Sequence, residues 1–168
     1  MVIKDLPKRK QNRLKNFDYS TNGAYFITLC TINHKCILSK IVGDGFPVPQ
    51  LTICGSIIEN IINEIDIQYD NVNVDTYVIM PNHIHMILTI SNDFGTGNPS
   101  PTISNIIAWL KYSSTKLINQ KYNSAGNRIF QRSFYDHIIR NENDYNEIWQ
   151  YIEQNPKKWK EDKLYVVK

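Results

Sequence analysis

The sequence predicts an α+β domain in which helices pack on a small antiparallel sheet. Three observations carry that expectation. Short segments are rich in β-branched and aromatic residues, apolar residues recur at helical spacing between them, and Gly, Pro and Asn mark the joins. Read in order, the chain gives strand, helix, hairpin, helix, strand, helix, a pattern that buries one sheet face and one helix stripe against each other.

Tyr25 to Thr31 (YFITLCT) has the composition of a first strand. The Gly and Pro cluster from Val42 to Gln50 (VGDGFPVPQ) predicts a loop. Ile57, Ile58, Ile61, Ile62 and Ile65 then recur at helical spacing behind Thr52, a suitable N-cap, so a helix is expected to run to about Tyr69. Val72 to Met80 and His83 to Ile90 follow as two strands, and Pro81-Asn82 between them suits a tight antiparallel hairpin. Asn92 to Pro101 (NDFGTGNPSP) is expected as a loop. Behind it, Ile103, Ile106, Ile107, Leu110 and Leu117 mark a second amphipathic helix, with Pro101 suited to its first turn. After the polar connection from Lys121 to Asn127, Ile129 to Ile139 (IFQRSFYDHII) predicts another strand or extended segment. Asn143 to Asn155 is the last helix, which Pro156 helps to end.

With 168 residues the chain is most simply one domain, and a chain of that size buries roughly two-thirds of its unfolded surface. Apolar content of 42% and charged content of 21% exclude a disordered protein. No stretch reaches the roughly 18 apolar residues of a membrane span, and the N-terminus lacks a signal-peptide core, so a cytoplasmic protein with no membrane partner is expected. Three cysteines without C-x-x-C spacing argue against a disulfide framework or a cysteine zinc site. The net charge of +3 is unevenly spread: Lys4, Lys8, Arg9, Lys10, Arg13 and Lys15 meet only Asp5 in the first fifteen residues. A basic arm over residues 1–20 suits a polyanion, and equally suits a solvated tail.

The strongest chemical signal is the run Tyr77 to Ile90 (YVIMPNHIHMILTI), which contains two of only four histidines. Strand side chains alternate between faces, so His83 and His85 project together while Ile84, Met86 and Leu88 project from the other side. Two imidazoles about 7 Å apart along one ribbon can converge on one metal ion. A strand histidine is more often an ordinary hydrogen-bonded residue, but this pair interrupts an aliphatic run at a cost in burial energy that needs a reason.

A second signal lies on the last helix, where Tyr145, Ile148, Trp149 and Ile152 define the buried stripe. Tyr151 and Asn155 fall one turn apart on its flank, so they can reach one point. Among ten tyrosines, Tyr151 is singled out because it carries a metal-competent amide four residues on; Tyr145 has Trp149 there, and Tyr135 reads as packing. Most helix tyrosines simply pack the ring and expose the hydroxyl.

Taken together, these residues resemble the single-tyrosine HUH transposases, in particular the REP-associated tyrosine transposases of the insertion-sequence-200-like group. The resemblance rests on Arg13 to Thr31 (RLKNFDYSTNGAYFITLCT), on the M-P-N-H-x-H block in Tyr77 to Leu88, on Ile103 to Lys111, and on Phe134 to Pro156 (FYDHIIRNENDYNEIWQYIEQNP). It implies a ferredoxin-like or RRM-like fold and an enzyme that cuts and rejoins single-stranded DNA near palindromic hairpins through a 5′-phosphotyrosine. By the same resemblance His83, His85 and Asn155 are the metal ligands, with Glu153 or a water as alternatives at the third position. Tyr151 is the nucleophile on the helix spanning residues 142–156, and Mg²⁺ or Mn²⁺ is the cofactor. The domain is a monomer or a homodimer. Lys8, Arg9, Lys10, Arg13, Lys111, Arg132, His137 and Arg140 are the candidate DNA contacts, joined by Lys157 and Lys158. Trp109 and Trp149, at core spacing, read as packing. The competing expectation is a non-catalytic or domesticated protein that binds hairpin DNA or RNA.

Overall fold

A computed structural model of the chain describes residues 21–91 and 101–166. The basic arm, with Lys8, Arg9, Lys10 and Arg13, and most of the connection from Asn92 to Pro101 lie outside those residues. Four strands form the main sheet: β1 (Gly23–Cys30), β4 (Val72–Ile79), β5 (His83–Ile90) and β6 (Tyr135–Ile139). They are ordered β4-β5-β1-β6, and every neighbouring pair is antiparallel. The first strand and the second hairpin strand are therefore the two central ones, which is the ferredoxin-like arrangement expected.

Alternation on the central strands divides the molecule into two layers. Ile27 and Leu29 of β1 and Ile84, Met86 and Leu88 of β5 are fully buried on one face, against Ile58, Ile61 and Ile62 of α1 (Ile53–Ile62) and Ile106, Ile107 and Leu110 of α3 (Ile103–Lys121). Phe26, Val78, Met80 and Ile87 face the other way and pack with Ile152, Ile148 and Trp149 of α4 (Glu142–Gln154). His83 and His85 share this second face, because a period of two leaves them no other. Caps fix the helix starts: the side-chain oxygens of Thr52, Thr102 and Asn141 accept from the backbone N–H groups of Gly55, Asn105 and Asp144. No described helix is long and apolar enough to cross a membrane.

Several expectations need correction. The segment Val42 to Gln50 is not all loop: β2 (Ser39–Val42) and β3 (Val48–Leu51) pair as a small hairpin, and only the glycine-containing tip between them is irregular. The helix behind Thr52 does not run unbroken to Tyr69. Its ladder tightens where Glu64 N–H donates to Ile61 O, and a separate turn, α2 (Ile65–Gln68), follows. Pro101 precedes the cap Thr102 instead of sitting in the first turn of α3. On α3 the buried stripe passes through Ser114 and Ile118, leaving Leu117 41% exposed.

The segment from Ile129 is extended at its start, where Phe130 makes an isolated antiparallel bridge to Thr31, but it joins the sheet as a strand only from Tyr135 onward. Ile129 and Phe130 also plug the α1/α3 core, and the Lys111 ammonium donates to the carbonyls of Gln131, Arg132 and Ser133 at 3.0, 3.4 and 3.1 Å. Trp109 packs edge-on against Tyr69 and Trp149 lies beside Tyr145, as their spacing predicts. Tyr135 does not pack as expected; it is 52% exposed on the edge strand.

Candidate metal and nucleophile site

The two histidines stand at the start of β5 in the middle of the sheet, both almost fully buried. Their ring centroids are 4.5 Å apart, closer than the strand repeat because the rings lean together. Each ring is oriented from behind. The Nδ1 of His83 lies 2.8 Å from Asn82 Oδ1, and the Nδ1 of His85 lies 2.8 Å from Thr28 Oγ1. Asn82 spends its amide N–H groups on the carbonyls of Leu164 and His34, so its oxygen faces His83 and can only accept. The proton of His83 therefore belongs on Nδ1, and its Nε2 carries a free lone pair. Thr28 can accept from His85 in the same way, leaving that Nε2 to accept, as it does from the Tyr151 hydroxyl at 3.3 Å.

Burial pushes the His83 imidazole down to about 4, against the opposing pull of the Asp162 carboxylate. Burial, reinforced by the neighbouring His83, likewise holds His85 well below the usual histidine range. Both rings are neutral near pH 7, the form in which an imidazole binds a metal.

From the opposite side α4 delivers Tyr151. Ile152, 1% exposed, anchors that turn in the second core, so its neighbour Tyr151 falls at the margin, 46% exposed, with its hydroxyl 3.3 Å from His85 Nε2. Asn155, one turn later, is buried and donates from Nδ2 to Asp162 Oδ2 at 2.9 Å. A carboxylate only accepts, which fixes the amide's orientation and turns Asn155 Oδ1 inward.

Asp162 was not among the sequence candidates. It follows a short helical turn, Trp159–Glu161, beyond Pro156, and its ligand atoms lie within 4.8 Å of those of His83 and His85. Its Oδ1 accepts from Leu164 N–H, and its Oδ2 is 3.5 Å from the Tyr151 hydroxyl. Glu153, the alternative third ligand, is exposed and outside this cluster. A carboxylate seven residues past an asparagine has no periodic signature; only its return to the sheet reveals it. Asn82, read from the sequence only as part of the hairpin connection, also orients His83.

The donor set fits a divalent cation. His83 Nε2 and Asn155 Oδ1 are both buried without a hydrogen-bond partner, a costly condition that a shared ion relieves. Two imidazole nitrogens with carboxylate and amide oxygens suit a borderline ion that keeps open positions. Beside the cluster a cavity of about 830 Å³ is lined by Phe26, Phe134, Tyr135, Tyr151 and Lys158, among others. The Tyr151 phenol is pushed up to about 12, first by burial and then by the Asp162 charge.

Of the expected DNA contacts, Lys111 spends its ammonium on backbone carbonyls, and burial holds it down at about 8. His137 pairs with Asp144 at 3.0 Å, while the exposed Arg140 donates its backbone N–H to the same carboxylate. Arg132 is exposed.

A paired-histidine central strand faced by a tyrosine-bearing helix defines an HUH-type, DNA-processing domain. The family model for IS200-like transposases matches residues 19–155, and the chain belongs to that family. A Haemophilus influenzae protein, itself uncharacterized, is 32% identical over 94% of this chain and 93% of its own length. The fold is shared with a REP-associated tyrosine transposase solved with a REP hairpin, at a TM-score of 0.64, 23% identity, and coverage of 88% of this chain and 74% of that one. A candidate transposase of Deinococcus radiodurans is similar at a TM-score of 0.50 and 16% identity, over 84% of this chain and 95% of its own.

Proposed function

We propose that this chain cuts and rejoins single-stranded DNA beside hairpins, with Tyr151 as nucleophile. The observation that carries the reading is the 3.3 Å approach of the Tyr151 hydroxyl to His85 Nε2 within one chain. One chain then suffices for a site, which favours a monomer. The hairpin held by the structural neighbour supports DNA as the partner.

His83, His85, Asp162 and Asn155 would hold Mg²⁺ or Mn²⁺, and the two nitrogens favour Mn²⁺. When bound, the ion supplies positive charge that offsets a phosphodiester's own negative charge and so lowers the barrier to in-line displacement. The protein's share of the chemistry is orientation and proton transfer. Asp162 Oδ2, 3.5 Å from the phenol, is placed to take its proton. The Tyr151 oxygen attacks phosphorus, the bond from phosphorus to the 3′-oxygen breaks, and that oxygen leaves as a hydroxyl after taking a proton from water. The 5′-phosphotyrosine keeps the energy of the broken bond, so attack by another 3′-hydroxyl reverses the step and joins strands without ATP. α4 holds the phenol rigid between Ile152 and the sheet, so little ordering entropy remains to be lost at attack.

The test uses hairpin oligonucleotides with randomised single-stranded flanks, labelled at the 3′ end, and Mn²⁺. Wild-type protein is expected to retain label through denaturation, whereas Tyr151→Phe should retain none. Equal labelling of both proteins refutes Tyr151 as the nucleophile.

A further inference from the structure

On the histidine-bearing face a row of side chains crosses three strands. His85 on β5 stands opposite Thr28 on β1, and Thr28 stands opposite Tyr135 on β6. Directly opposed residues of antiparallel strands share a face, so Tyr135 lies on the same surface as His85, two strands away. α4 packs chiefly on β4 and β5 and reaches β6 where Asp144 meets His137, while Tyr135, two residues earlier on that strand, is 52% exposed although its sequence neighbourhood is apolar. Its ring meets Phe26 edge-on at 6.3 Å; Phe26 in turn stacks on His85 at 5.2 Å and meets Tyr151 edge-on at 6.0 Å. The aromatic surface is therefore continuous from the nucleophile to the open edge. Phe134, Tyr135, Phe26 and Tyr151 line one cavity of about 830 Å³, within the range of small-ligand pockets, and Lys158 lines it too.

We propose that Tyr135 is a stacking platform for one unpaired base next to the phosphate that Tyr151 attacks. It is a positioning residue: its hydroxyl has no part in the reaction. The inference rests on the single-strand reading above and adds where the strand runs, over β6 and toward Lys158. A large ring half in water beside a cavity offers stacking surface that the folded protein leaves unused, and every base has a flat face to fill it. Paired bases inside a duplex already stack on their neighbours, so the occupant is a single strand. An aliphatic ligand would be served as well by Leu or Ile at this position, whereas a base is served best by an aromatic ring.

Tyr135→Ser removes the ring and Tyr135→Phe keeps it. With the selected hairpin substrate and Mn²⁺, the Ser variant is expected to raise KM for cleavage about tenfold to hundredfold, with kcat at saturation little changed, while the Phe variant behaves as wild type. Mn²⁺ affinity should be the same in all three proteins, which separates a lost platform from a damaged site. An independent arm needs no variant: single abasic substitutions are scanned across the cleavage region. Wild type should show one sensitive position beside the cut, and the Ser variant should be indifferent to it. A Ser variant with wild-type KM, or a wild-type scan without a sensitive position, overturns the platform while leaving the nuclease reading intact. Failure of wild type to cleave any single strand overturns both.

Discussion

At the scale of single residues, the site is an exercise in fixing tautomers. Unprotonated Nε2 atoms follow from what stands behind each ring: Asn82 Oδ1 and Thr28 Oγ1, both at 2.8 Å from an Nδ1. Partners that orient metal-binding histidines are typically worth about 10- to 100-fold in affinity. Thr28→Val keeps the buried shape and deletes the acceptor, so it should weaken Mn²⁺ binding by about that factor, read by calorimetric titration. Unchanged affinity would show that Thr28 does not orient His85. The nearness of His83 to His85 was legible in the sequence because a strand repeats every two residues, whereas Tyr151 was singled out among ten tyrosines mainly by the family resemblance. Asp162 was not, since a loop residue's position follows from tertiary contacts such as Leu164 O with Asn82 Nδ2 at 2.7 Å.

Among the elements, α4 matters most, because it carries Tyr151, the proposed nucleophile, on a turn anchored by one side chain. Ile152 is 1% exposed between Val78, Met80 and Ile87. Ile152→Ala should destabilise the protein by about 2 to 5 kcal/mol, measured by denaturant unfolding, and should cut covalent labelling more than lost stability explains. Labelling in proportion to the folded fraction would mean that the turn is held elsewhere. Elements with strong periodicity, β1, β4, β5, α3 and α4, were readable from sequence. The misreadings arose where tertiary contacts overrode local pattern. Ile129 and Phe130 look like strand but fill the helix-side core, and the three carbonyls that follow are claimed by Lys111. Similarly, the residues flanking Gly43 and Gly45 pair into a hairpin whose signal the prolines obscured.

On the scale of the whole molecule, the buried imidazoles couple folding to pH. His83 binds its proton at about 4 when folded but near 6.5 when unfolded, so its folded-state value is depressed. Between those values the unfolded chain holds more protons, and stability must fall as pH falls through that window. The metal-free protein should therefore lose stability from pH 6.5 down to about 4 and be indifferent just above 6.5, as followed by urea unfolding; stability flat across the window would contradict the burial of the pair. The sheet face that buries the histidines also carries the exposed Tyr135 on the edge strand β6, which lines one cavity with Tyr151. The most direct measurement is anomalous diffraction from crystals grown with Mn²⁺. One peak is expected, bonded to the Nε2 atoms of His83 and His85, with Asp162 in contact and the Tyr151 hydroxyl alongside. Mn²⁺ absent from that cluster at saturating concentration, or bound there with Tyr151 turned away and no route back, would contradict the proposed site.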